Sequence, residues 1–181
     1  MLQIAVQANE LFDEKTGIFI PIKAQTLHLE HSLISLSKWE SKWHKPFLSK
    51  KVEKTNEEVI DYIRCMCMDS NIDPVTFYAL SAENYKQIDD YIKDPMTATT
   101  FNNLDDNKRN KEVVTSEIIY YWMTELNIPP EYAKWHLNRL LTLIQVASIK
   151  KSPPKKMSKS QILARNRKWN EAARAKYHSN G

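Results

Sequence analysis

Leu2, Ile4, Val6 and Ala8 alternate with more polar neighbours at the head of the chain, a period of two that predicts a strand. "FDEKTG" then reads as a turn, with Gly17 at its end. Ile18, Ile20 and Ile22 alternate again in "GIFIPIK", where Pro21 confines the strand to an edge or a bulge. Leu27, Leu29 and His31 repeat the pattern in "TLHLEH". Residues 1–31 are therefore expected to form a three-stranded antiparallel meander with one apolar face.

From Ser32 the period becomes helical. "SLISLSKWESKWHKPFL" sets Leu36, Trp39 and Trp43 on one stripe and stops at Pro46. "KTNEEVIDYIRCMCM" opens with the capping pair Thr55 and Glu58 ahead of Val59, Ile63 and Met66. Asp73 precedes Pro74 as an N-cap precedes a first helical proline. Ser81 caps "AENYKQIDDYIKD", whose Tyr85, Ile88 and Ile92 share a face. "TFNNLDDNKRNKE" has no period and reads as an exposed loop at 101–112. Two helices follow. One carries Ile119, Trp122, Met123 and Leu126. The other, "PPEYAKWHLNRLLTLIQVASIK", is a single long helix with Ala133, Leu137, Leu140, Leu141, Ile144 and Ala147 facing the centre of the core.

Charge divides the chain. The last 32 residues hold ten Lys and Arg against one acid, Glu171, a net of +9; the whole chain is +4, leaving −5 for residues 1–149. "KKSPPKK" is a basic linker at 150–157, stiffened by its proline pair, and 158–181 form a basic helical arm. The expected architecture is α+β and predominantly α: a body at 1–149 with strands in 1–31 and six to seven helices, then linker and arm.

No stretch is apolar enough to span a bilayer, and the N-terminus lacks the basic start and cleavage site of a signal peptide, so a cytoplasmic protein is expected. Only Gly17 and Gly181 are glycines, which excludes a Walker-type loop and a dinucleotide fingerprint. Cys65 and Cys67 stand two apart, about 200° round a helix, so they neither bridge nor share an ion; reduced, partly buried thiols are expected.

"HLEHS" gathers His28, Glu30, His31 and Ser32, but on a strand His28 and His31 point to opposite faces. The plain reading is a strand leading into a capped helix. His44 and His136 lack a partner at ligand spacing, and the pairs Asp89–Asp90 and Asp105–Asp106 diverge or lie in solvent. No nucleophile elbow, kinase set or HExxH occurs. Expected, then, are no catalytic residues, no metal and no cofactor. Trp39, Trp43, Trp122 and Trp135 fall on helical stripes as core residues; Trp169 lies in the arm.

On a helical wheel, Ile162, Trp169 and Ala173 of the arm lie within about 40° of one another. Arg165, Lys168 and Lys176 flank this seam on one side, Arg167 and Arg174 farther round on the other. A helix that only neutralises phosphate gains little from such a seam. Docked in a groove of an acidic protein, it uses both the seam and the bases. Contact with nucleic acid, docking back onto the acidic body and self-association stay open; a membrane surface is not expected, the apolar face being too narrow.

"LEHSLISLSKWESKWHKPFL", "DYIRCMC", "DDYIKDPMTATTF", "IIYYWMTELNIPPEYAKWHLNRLLTLIQV" and "PPKKMSKSQILARNRKWNEAARAK" together resemble a family of small proteins from the morphogenesis region of tailed bacteriophages and prophages, most like a tail assembly chaperone. The resemblance covers nearly the whole chain. It implies a non-enzymatic factor in the cytoplasm of a bacterial host that binds the tape measure protein and tail tube subunits and leaves before the virion is complete. Two alternatives remain: a virion component near the head–tail junction that touches DNA through the arm, and a phage-encoded DNA-binding protein.

Overall fold

The N-terminal strands zip into one ribbon. A computed structural model of the chain describes residues 1–13, 17–101, 113–151 and 159–177. Strand β1 (Leu2–Val6) pairs antiparallel with β4 (Gln25–Leu29), and β2 (Asn9–Asp13) with β3 (Ile18–Ile22). The register runs from Leu2↔Leu29 and Val6↔Gln25 through Asn9↔Ile22 to Asp13↔Ile18, so no residue is gained or lost between the two ladders. Four strands in a long hairpin thus stand where three in a meander were expected. Phe12 and Asp13 read as the start of the turn in sequence, yet "NELFD" pairs along its whole length with "IFIPI".

The ribbon changes its buried face along its length. At the base, Ile4, Val6, Leu27 and Leu29 are buried. Strict alternation carries that face on to Phe12 and Phe19. In the outer ladder, however, Ile22 is buried and Leu11 packs on the core, and both belong to the opposite face. Two-stranded ribbons twist strongly, and the switch falls at residues 7–8 and 23–24, where the ladder is interrupted.

Six α-helices and two 3-10 segments follow among the described residues. They are α1 (Leu33–Trp43), α2 (Asn56–Met66), a 3-10 turn at Pro74–Ala79, α3 (Ala82–Lys93), α4 (Ser116–Glu125), a 3-10 turn at Pro130–Lys134, α5 (Leu137–Lys151) and α6 (Lys159–Tyr177). The molecule is α+β and mainly α. Met1–Ser148 form one compact unit and Ile149–Gly181 a second. The anticipated loop at 101–112 and linker at 150–157 lie, apart from their first residues, outside the described residues.

Helix starts follow local chemistry. Thr55 Oγ1 accepts the Glu58 N–H at 3.3 Å while Glu58 Oε2 accepts the Thr55 N–H at 2.9 Å, the reciprocal box the sequence predicts. Ser32 with Ser35, and Ser81 with Asn84, form the same box. Asp73 caps the segment at Pro74, which is 3-10 rather than α. Helix α1 stops before Pro46, its C-cap His44 in the left-handed region at φ 52°.

The core forms where the ribbon base meets α1, α2, α4 and α5. Leu33, Leu36 and Trp39 of α1 are fully buried, with Tyr62, Ile63 and Met66 of α2, Ile119 of α4, and Leu137 and Leu140 of α5. Val59 points outward, and Tyr62 takes the interior place on α2. The long helix expected from Pro129 is two pieces. Leu137 N–H donates to the His31 carbonyl at 2.7 Å and His136 bridges to Ser32, so residues 135–136 are extended. Trp135 therefore sits between helices; its ring stacks on Tyr132, with Arg139 4.2 Å from the ring centre.

Candidate partner-binding surface

Helix α6 places the predicted arm residues as the wheel requires. Ile162, Trp169 and Ala173 recur along one side, with Arg165, Lys168 and Lys176 bordering it and Arg167 and Arg174 farther round. Trp169 is 77% exposed and Leu163, which the reading of the seam missed, 64%. Leu163 lies about 100° from Ile162, so periodicity around Trp169 leaves it out. With Lys159, six cations stand against Glu171 alone, a net of +5 on this helix. An isolated helix this polar gains little from propensity alone and is normally held by a packed face. Here the described side chains of α6 are all exposed.

The "HLEHS" residues separate into two environments. His28 is half-buried in β4: its Nδ1 lies 2.9 Å from Asp69 Oδ1, and its N–H donates to Asp69 Oδ2 at 2.7 Å. These bonds hold the Asp69 carboxyl below the usual range, the backbone bond first. Cys67 Sγ approaches the same carboxylate at 3.8 Å. Its thiol is pushed up, chiefly by burial, as is that of Cys65, and both are free. A raised thiol is a poor nucleophile.

His31 turns inward instead. Tyr62 Oη lies 2.6 Å from His31 Nδ1, and the His136 ring packs edge-on to His31 with centres 5.2 Å apart. His136 Nε2 meets the Tyr91 carbonyl at 3.0 Å, which makes that nitrogen the donor and leaves Nδ1 as the lone-pair side. His136 Nδ1 is buried without a partner among the described residues. Tyr91 Oη in turn donates to Glu30 Oε1 at 2.7 Å. Burial, then the neighbouring His136, pulls the His31 pKa down to about 4; burial lowers His136 as well. This network joins the strand end, α2, α3 and the start of α5. Its members are scattered in sequence, and no local spacing announces it.

Among the described residues, no group of three or more His, Cys, Asp or Glu is placed to hold a metal ion. None of the described helices is long and apolar enough to cross a membrane. The ribbon tip adds a second exposed apolar feature that the sequence reading did not identify. Phe12 and Phe19 face each other across the strands with ring centres 5.0 Å apart, and Ile18 is also exposed. Comparison with protein-family models, curated proteins and solved structures finds no match to the chain.

Proposed function

We propose that this chain acts by binding other proteins, without catalysis, as an assembly factor of the phage tail chaperone type. In this reading α6 engages the tape measure protein or tail tube subunits in the host cytoplasm, and the factor is absent from the finished particle. The carrying observation is α6 itself: a helix with an exposed Trp169, an apolar line and a net charge of +5. Such a helix suits an acidic groove, where apolar burial supplies affinity and cations steer approach. The sequence resemblance supplies the phage setting.

Truncation after Ser148 tests the role of α6. Loss of partner capture and of tail yield is expected; unchanged values refute it. Purified particles test the setting, since a chaperone is missing from them and a structural component is present at fixed copy number. The charge of α6 also favours a second reading, a component near the head–tail junction that touches DNA. Binding to DNA that collapses steeply with salt would put that reading first.

A further inference from the structure

Among the described residues, the outer half of the hairpin leaves one strand edge open, and its chemistry selects an occupant. At the base both margins are covered. Asn84 Nδ2 donates to the Ala5 carbonyl of β1 at 3.2 Å. Cys67 bridges to Leu29 of β4, with Glu30 N–H donating to Met66 at 2.9 Å and Met68 N–H to His28 at 2.8 Å. Farther out, β3 carries Pro21, which has no N–H to offer a neighbour.

Strand β2 has no such block. Its Glu10 pairs with Pro21, and the Glu10 N–H is taken by Asn9 Oδ1 at 2.8 Å. Antiparallel pairs alternate between bonded and non-bonded kinds. Glu10↔Pro21 is thus of the non-bonded kind, as is Phe12↔Phe19 two residues on. This is the opposite phase to the base, where Ala5 is the residue that faces outward, so the bonding phase shifts together with the buried face at residues 7–8 and 23–24. The main-chain groups of Glu10 and Phe12 consequently face away from β3. Among the described residues, only Asn9 meets them.

We propose that β2 is a self-association edge, pairing antiparallel with β2 of a second copy about a twofold axis at Leu11. In that register each Glu10 exchanges both main-chain bonds with the second copy's Phe12, using the groups that face outward. Leu11 meets Leu11 at the axis, flanked by Ile20 of each copy, which makes one apolar row across four strands. Asn9 falls opposite Asp13, so no acid faces an acid. Centring the pairing on Glu10 sets carboxylate against carboxylate, and centring it on Phe12 takes Glu10 out of the bonded overlap. One strand therefore supplies both halves of a symmetric contact. Phe12 at 53% and Phe19 at 61% exposure then lie on a four-stranded sheet, which holds apolar side chains better than a two-stranded ribbon. This contact is independent of α6 and of the phage setting.

Sedimentation velocity on the full chain from about 1 to about 200 µM reads the association. A dimer whose fraction rises with concentration is expected. Glu10→Pro removes an outward N–H while sparing the ladder to β3, and it should weaken the dimer about tenfold or more. Glu10→Gln keeps the N–H and should stay within about twofold. At the axis the Cα atoms of a non-bonded pair lie about 4.5 Å apart, within disulfide range. Leu11→Cys should therefore crosslink to itself on mild oxidation much faster than Ile18→Cys. Circular dichroism and thermal melts confirm that each variant is folded. A monomer at every concentration, a dimer indifferent to Glu10→Pro, or equal crosslinking at the two cysteines overturns the proposal.

Discussion

The carboxylate of Glu40 caps a helix that begins 76 residues later: its Oε2 accepts the Ser116 N–H at 2.7 Å. Thr115, the residue in the N-cap place of α4, makes no side-chain cap bond, and Glu40 stands in for it. The other oxygen, Oε1, accepts the Phe47 N–H at 2.9 Å. One buried side chain thus anchors both the chain leaving α1 and the start of α4.

Glu40→Ala should therefore cost more than an exposed capping residue does. Two main-chain donors are stranded, and a loss of about 3 kcal/mol is expected in urea unfolding. Glu40→Gln keeps one acceptor and should lose about half as much. Equal stability of Glu40→Ala and the parent would refute this role.

Acid should weaken the fold well before the carboxylates titrate. His31 has a folded pKa near 4 against 6.5 in the unfolded chain, so the unfolded state takes up the proton first as pH falls. The stabilisation is whole above about pH 6.5 and is lost as pH drops toward 4. The expected loss between pH 8 and pH 5 is about 2 kcal/mol from this group alone. His136, lowered in the same direction, adds to it. Urea melts at several pH values measure the slope, which His31→Asn should flatten.

Tyr62→Phe isolates the hydroxyl within that network. The ring, stacked on Phe47 with centres 3.7 Å apart, is retained, and the hydroxyl is removed with its contact to His31 and its interaction with Ser35. A loss of about 1–2 kcal/mol is expected in the same melts. A neutral result would mean that the ring alone matters.

Asn138 ties α5 to the end of α3, with Nδ2 2.9 Å from the Ile92 carbonyl and 2.8 Å from that of Asp94. Asn138→Ala should cost about 1–2 kcal/mol. Amide exchange should quicken first at the C-terminal turn of α3; uniform exchange would argue against a local latch.

The two components of α6 should separate in kinetics. If α6 engages a protein partner as proposed, Trp169→Ser with Ile162→Ser should speed release from that partner, leaving the salt dependence of capture unchanged. Arg174→Gln with Lys176→Gln should slow capture and flatten its salt dependence. Surface plasmon resonance at several ionic strengths distinguishes the pairs; identical behaviour would merge seam and charge into one effect.

What the sequence disclosed was mostly local. The Thr55–Glu58 box, the Ser81 cap and the Leu36–Trp39 stripe rest on neighbours three or four residues apart, and the structure contains all three. The break at Trp135 and His136 does not, because it depends on Ser32 and His31, about a hundred residues earlier. Periodicity there favours an unbroken helix, and the long-range bridge overrides it. The inward turn of Tyr62 likewise depends on finding His31. On α6 the seam was legible because wheel geometry needs no tertiary contact, while Leu163 escaped because it lies off the Trp169 line. The His31–His136 network has no sequence signature; its members meet only through packing.

The matched spacing of the N-terminal ribbon restricts how this protein can change in length. Omit one residue from either limb alone and, between the gap and the next fixed point, inward and outward positions exchange. A compensating omission on the opposite limb restores the pairing. Homologues that tolerate shortening should therefore lose residues two at a time, one from each side of the bend.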